Sequence, residues 1–87
     1  MKRILYFCAK WCSPCKALGP VMQELSIKYP ITKIDIDEDK ALVIRYNVKA
    51  VPTVLIVEGD DILISKVGAY PKSVYIEIFN KSFYDLV

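Results

Sequence analysis

Two cysteines spaced by two residues stand out in the stretch Trp11-Cys12-Ser13-Pro14-Cys15-Lys16, and a third thiol, Cys8, lies just upstream. A pair with this spacing can be oxidised and reduced, can supply half of a metal site, or can simply be buried. A closed zinc site takes about four ligands, whereas this chain has no histidine and only three cysteines. A metal or iron–sulfur cluster would therefore have to be shared between two chains. The lack of histidine also removes the commonest general base, so acid–base work falls to thiols, carboxylates, lysines and tyrosines.

The residues around the pair favour redox chemistry. Ile4 to Ala9 is a run of bulky apolar residues bounded by charges, the pattern of a strand buried on both faces, and it leads into the cysteines. From Pro14 to Tyr29, the residues Leu18, Val21, Met22, Leu25 and Tyr29 recur at helical spacing. Cys12 then falls where a strand ends, and Cys15 in the first turn of the next helix. Unpaired backbone N–H groups and the positive end of the helix dipole stabilise a thiolate there, lowering a free-cysteine pKa of about 8.5 toward roughly 3.5 to 7.5. Pro14 suits an early helical position, having no N–H to lose and a fixed φ. Lys10 and Lys16 add positive charge. Cys12 is thus the expected nucleophile, forming a mixed disulfide with a substrate, and Cys15 resolves it by attacking Cys12. Cys8, inside the strand, reads as a small apolar core residue.

The elements that must hold this pair follow from patterning. Pro30 stops the first helix, and Ile34 and Ile36 then alternate with Lys33, Asp35 and Asp37 as a second strand. A short helix is predicted over about Lys40 to Tyr46, with Asp37 or Asp39 as N-cap and Asn47 as stop. Thr53 to Gly68 reads as two strands joined through Glu58, Gly59, Asp60 and Asp61, a hairpin signal. Tyr75, Ile78, Phe79, Phe83 and Leu86 mark a last helix beginning near Pro71 or Lys72. The order is β-α-β-α-β-β-α, an α/β fold with one four-stranded mixed sheet flanked by helices, over a single domain of residues 1–87.

Composition narrows the function classes. The apolar fraction is 54% against 25% charged residues, with no apolar run long enough to span a membrane. The net charge of +2 is spread along the chain, which argues against a nucleic-acid stripe or a membrane-surface helix. The apolar run after Met1-Lys2-Arg3 is shorter than the roughly 7 to 15 residues of a signal-peptide core, so a cytoplasmic protein is expected. In that compartment a structural disulfide is uncommon.

The stretches "WCSPCK" followed by "GP", "KIDIDED", "YNVKAVPTVLIV" and "SKVGA" resemble those of thioredoxins, in the right order over nearly the whole chain. The resemblance starts late, without the extra strand and helix that usually precede the strand beginning here at Ile4, so a minimal thioredoxin fold is implied. It assigns Cys12 as the attacking and Cys15 as the resolving cysteine, without metal or organic cofactor. Trp11 matches the tryptophan flanking them on the substrate-facing surface, and Ser13 and Pro14 the central dipeptide, where Ser13 replaces the usual glycine. Pro52 matches the family's cis-proline, Val51 the residue whose backbone meets an extended substrate, and Gly68 a glycine on the same docking surface.

Three departures from the family pattern lie behind the pair: a tyrosine for an acid, a lysine left without that acid, and a cysteine for a tryptophan. Tyr6 stands where thioredoxins bury an aspartate that helps deprotonate the resolving thiol, and Lys33 matches the lysine accompanying that acid. The Tyr6 hydroxyl and Lys33 are therefore expected within hydrogen-bonding reach, with proton transfer from Cys15 either using water or slowed. Cys8 replaces a tryptophan. The implied activity is reduction of protein disulfides by a monomer, with disulfide-containing proteins as substrates and thioredoxin reductase or glutathione as electron source. A glutaredoxin-like, glutathione-dependent reductase and a metal or iron–sulfur binding module are the alternatives.

Overall fold

Ile4, Leu5, Tyr6 and Phe7 are buried in succession, which places β1 (Lys2–Cys8) inside the sheet rather than at its edge. The computed structural model describes residues 1–84. After β1 come α1 (Ser13–Leu25), β2 (Ile31–Asp35), α2 (Lys40–Arg45), β3 (Thr53–Glu58), β4 (Asp61–Val67) and α3 (Lys72–Phe83). This is the order read from the sequence; Leu86 lies outside the described residues. The sheet has four strands in the order β2-β1-β3-β4. β1 pairs parallel with β2 and antiparallel with β3, and the β3–β4 hairpin is antiparallel.

Alternation along the strands divides the core. Ile4, Tyr6, Cys8, Val54 and Ile56 pack with Leu18, Met22 and Leu25 of α1 and with Tyr75 and Phe79 of α3. Leu5, Phe7, Ile34, Leu55 and Val57 form the opposite layer, against Tyr46 and Leu42. α1 and α3 thus cover one face and α2 the other. Fully burying side chains such as Phe7 and Phe79, each 0% exposed, stabilises the fold by about 1.5–3 kcal/mol apiece.

The helix ends follow local rules. α1 stops at Leu25, four residues before the predicted limit at Tyr29. Pro30 disfavours helical backbone at the residue before it, and the chain closes with Lys28 and Tyr29 both donating to the Leu25 carbonyl. Tyr29 still packs inward, its ring edge-on to Phe79 at 5.2 Å. Asp39 caps α2 by accepting the Leu42 N–H at 3.2 Å. Asn47 ends α2 with φ 54°, a left-handed turn that asparagine tolerates.

Candidate active site

Cys12 is the N-cap of α1, with extended backbone, and its sulfur accepts the Cys15 N–H at 3.3 Å. The bend that allows this comes from Ser13-Pro14, since Pro14 fills the first turn without forfeiting a backbone donor. Cys12 and Cys15 are joined as a disulfide with Cα atoms 5.2 Å apart. Both are buried in this oxidised form, at 5% and 4% exposure. Ser13 and Pro14 between them are exposed.

Trp11 has the opposite character. It is 66% exposed, and its indole Nε1–H donates to Asp37 Oδ2 at 2.9 Å. The Asp37 N–H in turn donates to Asp35 Oδ1 at 2.9 Å. The sequence pattern places Asp35 and Asp37 on the polar side of a strand, with Asp37 also a candidate N-cap of α2. Their alternation with Ile34 and Ile36 was the available signal; the contact with Trp11 joins residues 26 apart.

The loop before β3 holds the cis peptide Val51–Pro52. Val51 packs against the apolar cluster that contains both Cys12 and Cys15. The Pro52 carbonyl accepts the Gly68 N–H at 2.8 Å, tying this loop to the end of β4. Gly68 has φ +100°, a conformation that side chains with a Cβ rarely take. Its carbonyl accepts from the Tyr75 hydroxyl at 3.2 Å, and the same hydroxyl accepts the Tyr70 N–H at 3.1 Å. Tyr75 thereby fixes the Gly68 loop from α3, a role its place in a helical apolar stripe did not suggest.

Behind the disulfide, Tyr6 is 2% exposed and its hydroxyl donates to the Cys15 carbonyl at 3.0 Å. The Tyr6–Lys33 hydrogen bond expected from the sequence is not formed. The two are register partners across β1 and β2, yet no hydrogen bond joins them among the described residues, and Lys33 is exposed. Tyr6 lies under α1, where a backbone carbonyl is its nearest acceptor, while Lys33 on an edge strand carries its ammonium into water. Burial, with smaller contributions from Cys8 and Tyr75, pushes the Tyr6 hydroxyl up to about 12. Burial also raises the Cys8 thiol; Lys33 opposes this and Asp35 adds to it.

Between α1 and the β1–β2 edge a cavity of about 930 Å³ reaches the back of the pair. Tyr6, Cys8, Cys15, Lys16, Lys33 and Asp35 are in its wall. Among the described residues, no group of three or more His, Cys, Asp or Glu side chains is placed to hold a metal ion, and no helix is long and apolar enough to cross a membrane.

The family model described as Thioredoxin matches residues 1–81. The chain is 38% identical over 79 residues to thioredoxin from Bacillus subtilis (strain 168), covering 86% of this chain and 76% of that protein. It is 32% identical over 82 residues to thioredoxin from Haemophilus influenzae, covering 90% and 77% respectively. Among solved structures, a mutant thioredoxin from Halobacterium salinarum NRC-1 superposes with TM-score 0.86 at 31% identity, covering 99% of this chain and 77% of that one. Reduced thioredoxin pre-protein from Schistosoma mansoni gives TM-score 0.81 at 30% identity, covering 92% and 77%. These similarities favour thioredoxin over the glutaredoxin alternative. With a Cys-x-x-Cys disulfide at the start of a helix on the matching fold, the chain belongs to the thioredoxin family of thiol–disulfide oxidoreductases.

Proposed function

We propose that this chain reduces disulfide bonds in other proteins, with Cys12 as the attacking thiolate and Cys15 as the resolving thiol. The observation that carries the division of roles is the Cys15 N–H donating to Cys12 Sγ at the N-cap of α1. A donor and a helix dipole aimed at one sulfur stabilise negative charge there in the reduced form. Cys12 then attacks a substrate disulfide; the bond from Cys12 to one substrate sulfur forms as the substrate S–S bond breaks. Cys15 attacks Cys12, the substrate leaves as a dithiol, and the Cys12–Cys15 disulfide returns. Trp11, Ser13, Pro14, Val51, Pro52 and Gly68 surround the pair as the docking surface, on which an extended substrate segment pairs with backbone near Val51.

A thioredoxin reductase is the electron source this reading favours over glutathione, because the family match runs through the chain. The protein acts as a cytoplasmic monomer, its residues 1–87 one domain, and uses no metal or organic cofactor. Insulin-disulfide reduction driven by a thioredoxin reductase system, compared with glutathione, tests it. Turnover with the reductase system is expected, together with trapped mixed disulfides in Cys15→Ser. Absence of turnover in both systems would overturn the assignment.

A further inference from the structure

We propose that Asp35 accepts the Cys15 proton during resolution, through water in the cavity behind the disulfide. This rests on the dithiol reading above and says how that site works without an acid at Tyr6. The register Cys8↔Asp35 and Tyr6↔Lys33 puts Asp35 on the sheet face covered by α1. Asp35 and Cys15 line the same cavity, whose volume of about 930 Å³ leaves room for several waters.

The other groups facing the cavity do not fit this task. From β1, the Tyr6 hydroxyl is a donor committed to the Cys15 carbonyl and holds its proton up to about 12. The Cys8 thiol donates to the Ile34 carbonyl at 3.6 Å, and burial raises it as well. From β2 and α1, Lys33 and Lys16 are cations with no acceptor. From the flanking loops, Lys10 and Glu38 pair at 3.8 Å, with side chains 84% and 69% exposed. Asp35 is half-buried, forms no ion pair among the described residues, and has only Oδ1 engaged, by the Asp37 N–H.

In the step, the Cys15 S–H bond breaks and its proton passes through water to an Asp35 carboxylate oxygen. The Cys15 electron pair forms the bond to Cys12 Sγ while the bond from Cys12 to the substrate sulfur breaks. That sulfur leaves with the electron pair and takes a proton from Asp35 or solvent. The cysteine pair is oxidised and the substrate reduced by the same two electrons.

The test follows 5-thio-2-nitrobenzoate release when reduced protein reacts with 5,5′-dithiobis(2-nitrobenzoate). The first release reports attack by Cys12 and the second reports resolution by Cys15, each measured by stopped flow across pH 5.5 to 9.5. Asp35→Asn keeps an oxygen for the Asp37 N–H but cannot take a proton. Its second release is expected to be about tenfold slower near pH 6.5, below the ~10²-fold onset of direct general-base effects because water intervenes. The loss should shrink steadily as pH rises, because hydroxide then removes the thiol proton without the carboxylate. Asp35→Glu should restore most of the rate. Asp35→Ser, which removes the carboxylate with a different geometry, should repeat the pH-selective loss. An Asp35→Asn or Asp35→Ser profile superimposable on wild type, or lowered equally at every pH, overturns the proposal while leaving the dithiol reading intact. Wild-type protein that shows no second release overturns both.

Discussion

The Tyr6 hydroxyl donates to the carbonyl oxygen of Cys15 across 3.0 Å, joining the central strand β1 to the first turn of α1 directly beneath the disulfide. The group directly beneath the resolving cysteine is therefore a neutral, hydrogen-bonded hydroxyl, with the Asp35 carboxylate in the wall of the adjoining cavity. The bond is within the helix-covered core, since Tyr6 is 2% exposed, and it fixes the helix start on which the N-cap geometry of Cys12 depends.

Removing this bond should cost stability. Tyr6→Phe keeps the ring packed and deletes one buried hydrogen bond, a loss of about 1 kcal/mol. For a domain of this size that lowers Tm by roughly 4–8 °C. Urea unfolding should show a lower midpoint with an unchanged slope, because the surface buried on folding is the same. An unchanged midpoint would show that the bond is not formed in solution.

The same residue predicts an alkaline limit. The folded Tyr6 hydroxyl is held up to about 12 against an ordinary 10.0, so the unfolded chain releases this proton first. Stability from Tyr6 is fully present below about pH 10 and is lost as pH rises toward 12. Cys8 and Tyr75, both raised by burial, act in the same direction. The urea midpoint should fall between pH 8 and pH 11, and fall less steeply in Tyr6→Phe. An equal decline in both proteins would assign the alkaline loss to other groups.

Cys8 should be chemically silent in the folded protein. It is 5% exposed and its thiol is raised by burial, while the thiolate is the reactive form. Oxidised protein is expected to show no thiol titre in native buffer at pH 7.5 and one after unfolding in guanidinium, because Cys8 is the one free cysteine. Rapid native labelling would contradict the packing described for β1.

The Gly68 loop offers a backbone test. A Cβ at Gly68 would meet only Tyr70 Cε2 at 3.9 Å, so space is available, but φ is +100°. Gly68→Ala should therefore lose about 1–2 kcal/mol through backbone strain rather than a clash. Because the Gly68 N–H is bonded to the Pro52 carbonyl, KM for a protein disulfide should rise as well. A variant with reduced stability and unaltered KM would separate this glycine from substrate docking.

Freeing Trp11 should affect binding more than folding. Its indole is held by Asp37 on an exposed surface, where such bonds add little to stability. Asp37→Ala leaves a large side chain to be ordered by each incoming substrate, a cost of about 0.5–1.5 kcal/mol. Reduction of insulin should lose roughly two- to tenfold in kcat/KM, while the urea midpoint stays within about 0.5 kcal/mol of wild type. Loss confined to kcat would instead place Trp11 in the chemical step.

The redox pair, the element order and most helix limits were legible in the sequence because each is written by local rules. Cys12 and Cys15 stand at a strand-to-helix junction that periodicity alone locates, and Asp39, Asn47 and Gly59 carry their turn chemistry within a few residues. The mixed sheet also followed, since connection lengths decide which neighbours run parallel. Around the pair the limit is different. Tyr6 was legible as a departure from the family pattern, but its partner was misread because strand register pairs backbones and does not say where two long side chains go.

Residue types and spacing alone thus require a cysteine pair presented at a helix start, with an apolar strand behind it and a tyrosine, not an acid, at position 6. What surrounds that pair depends on the folded chain: the Tyr6 bond to Cys15, the Asp37 hold on Trp11, the Pro52–Gly68–Tyr75 chain, and a cavity that brings Asp35 behind the disulfide. Hydrogen bonds and cavities depend on distances between residues far apart in the chain, which are set by how the layers pack and not by the spacing of residues along it.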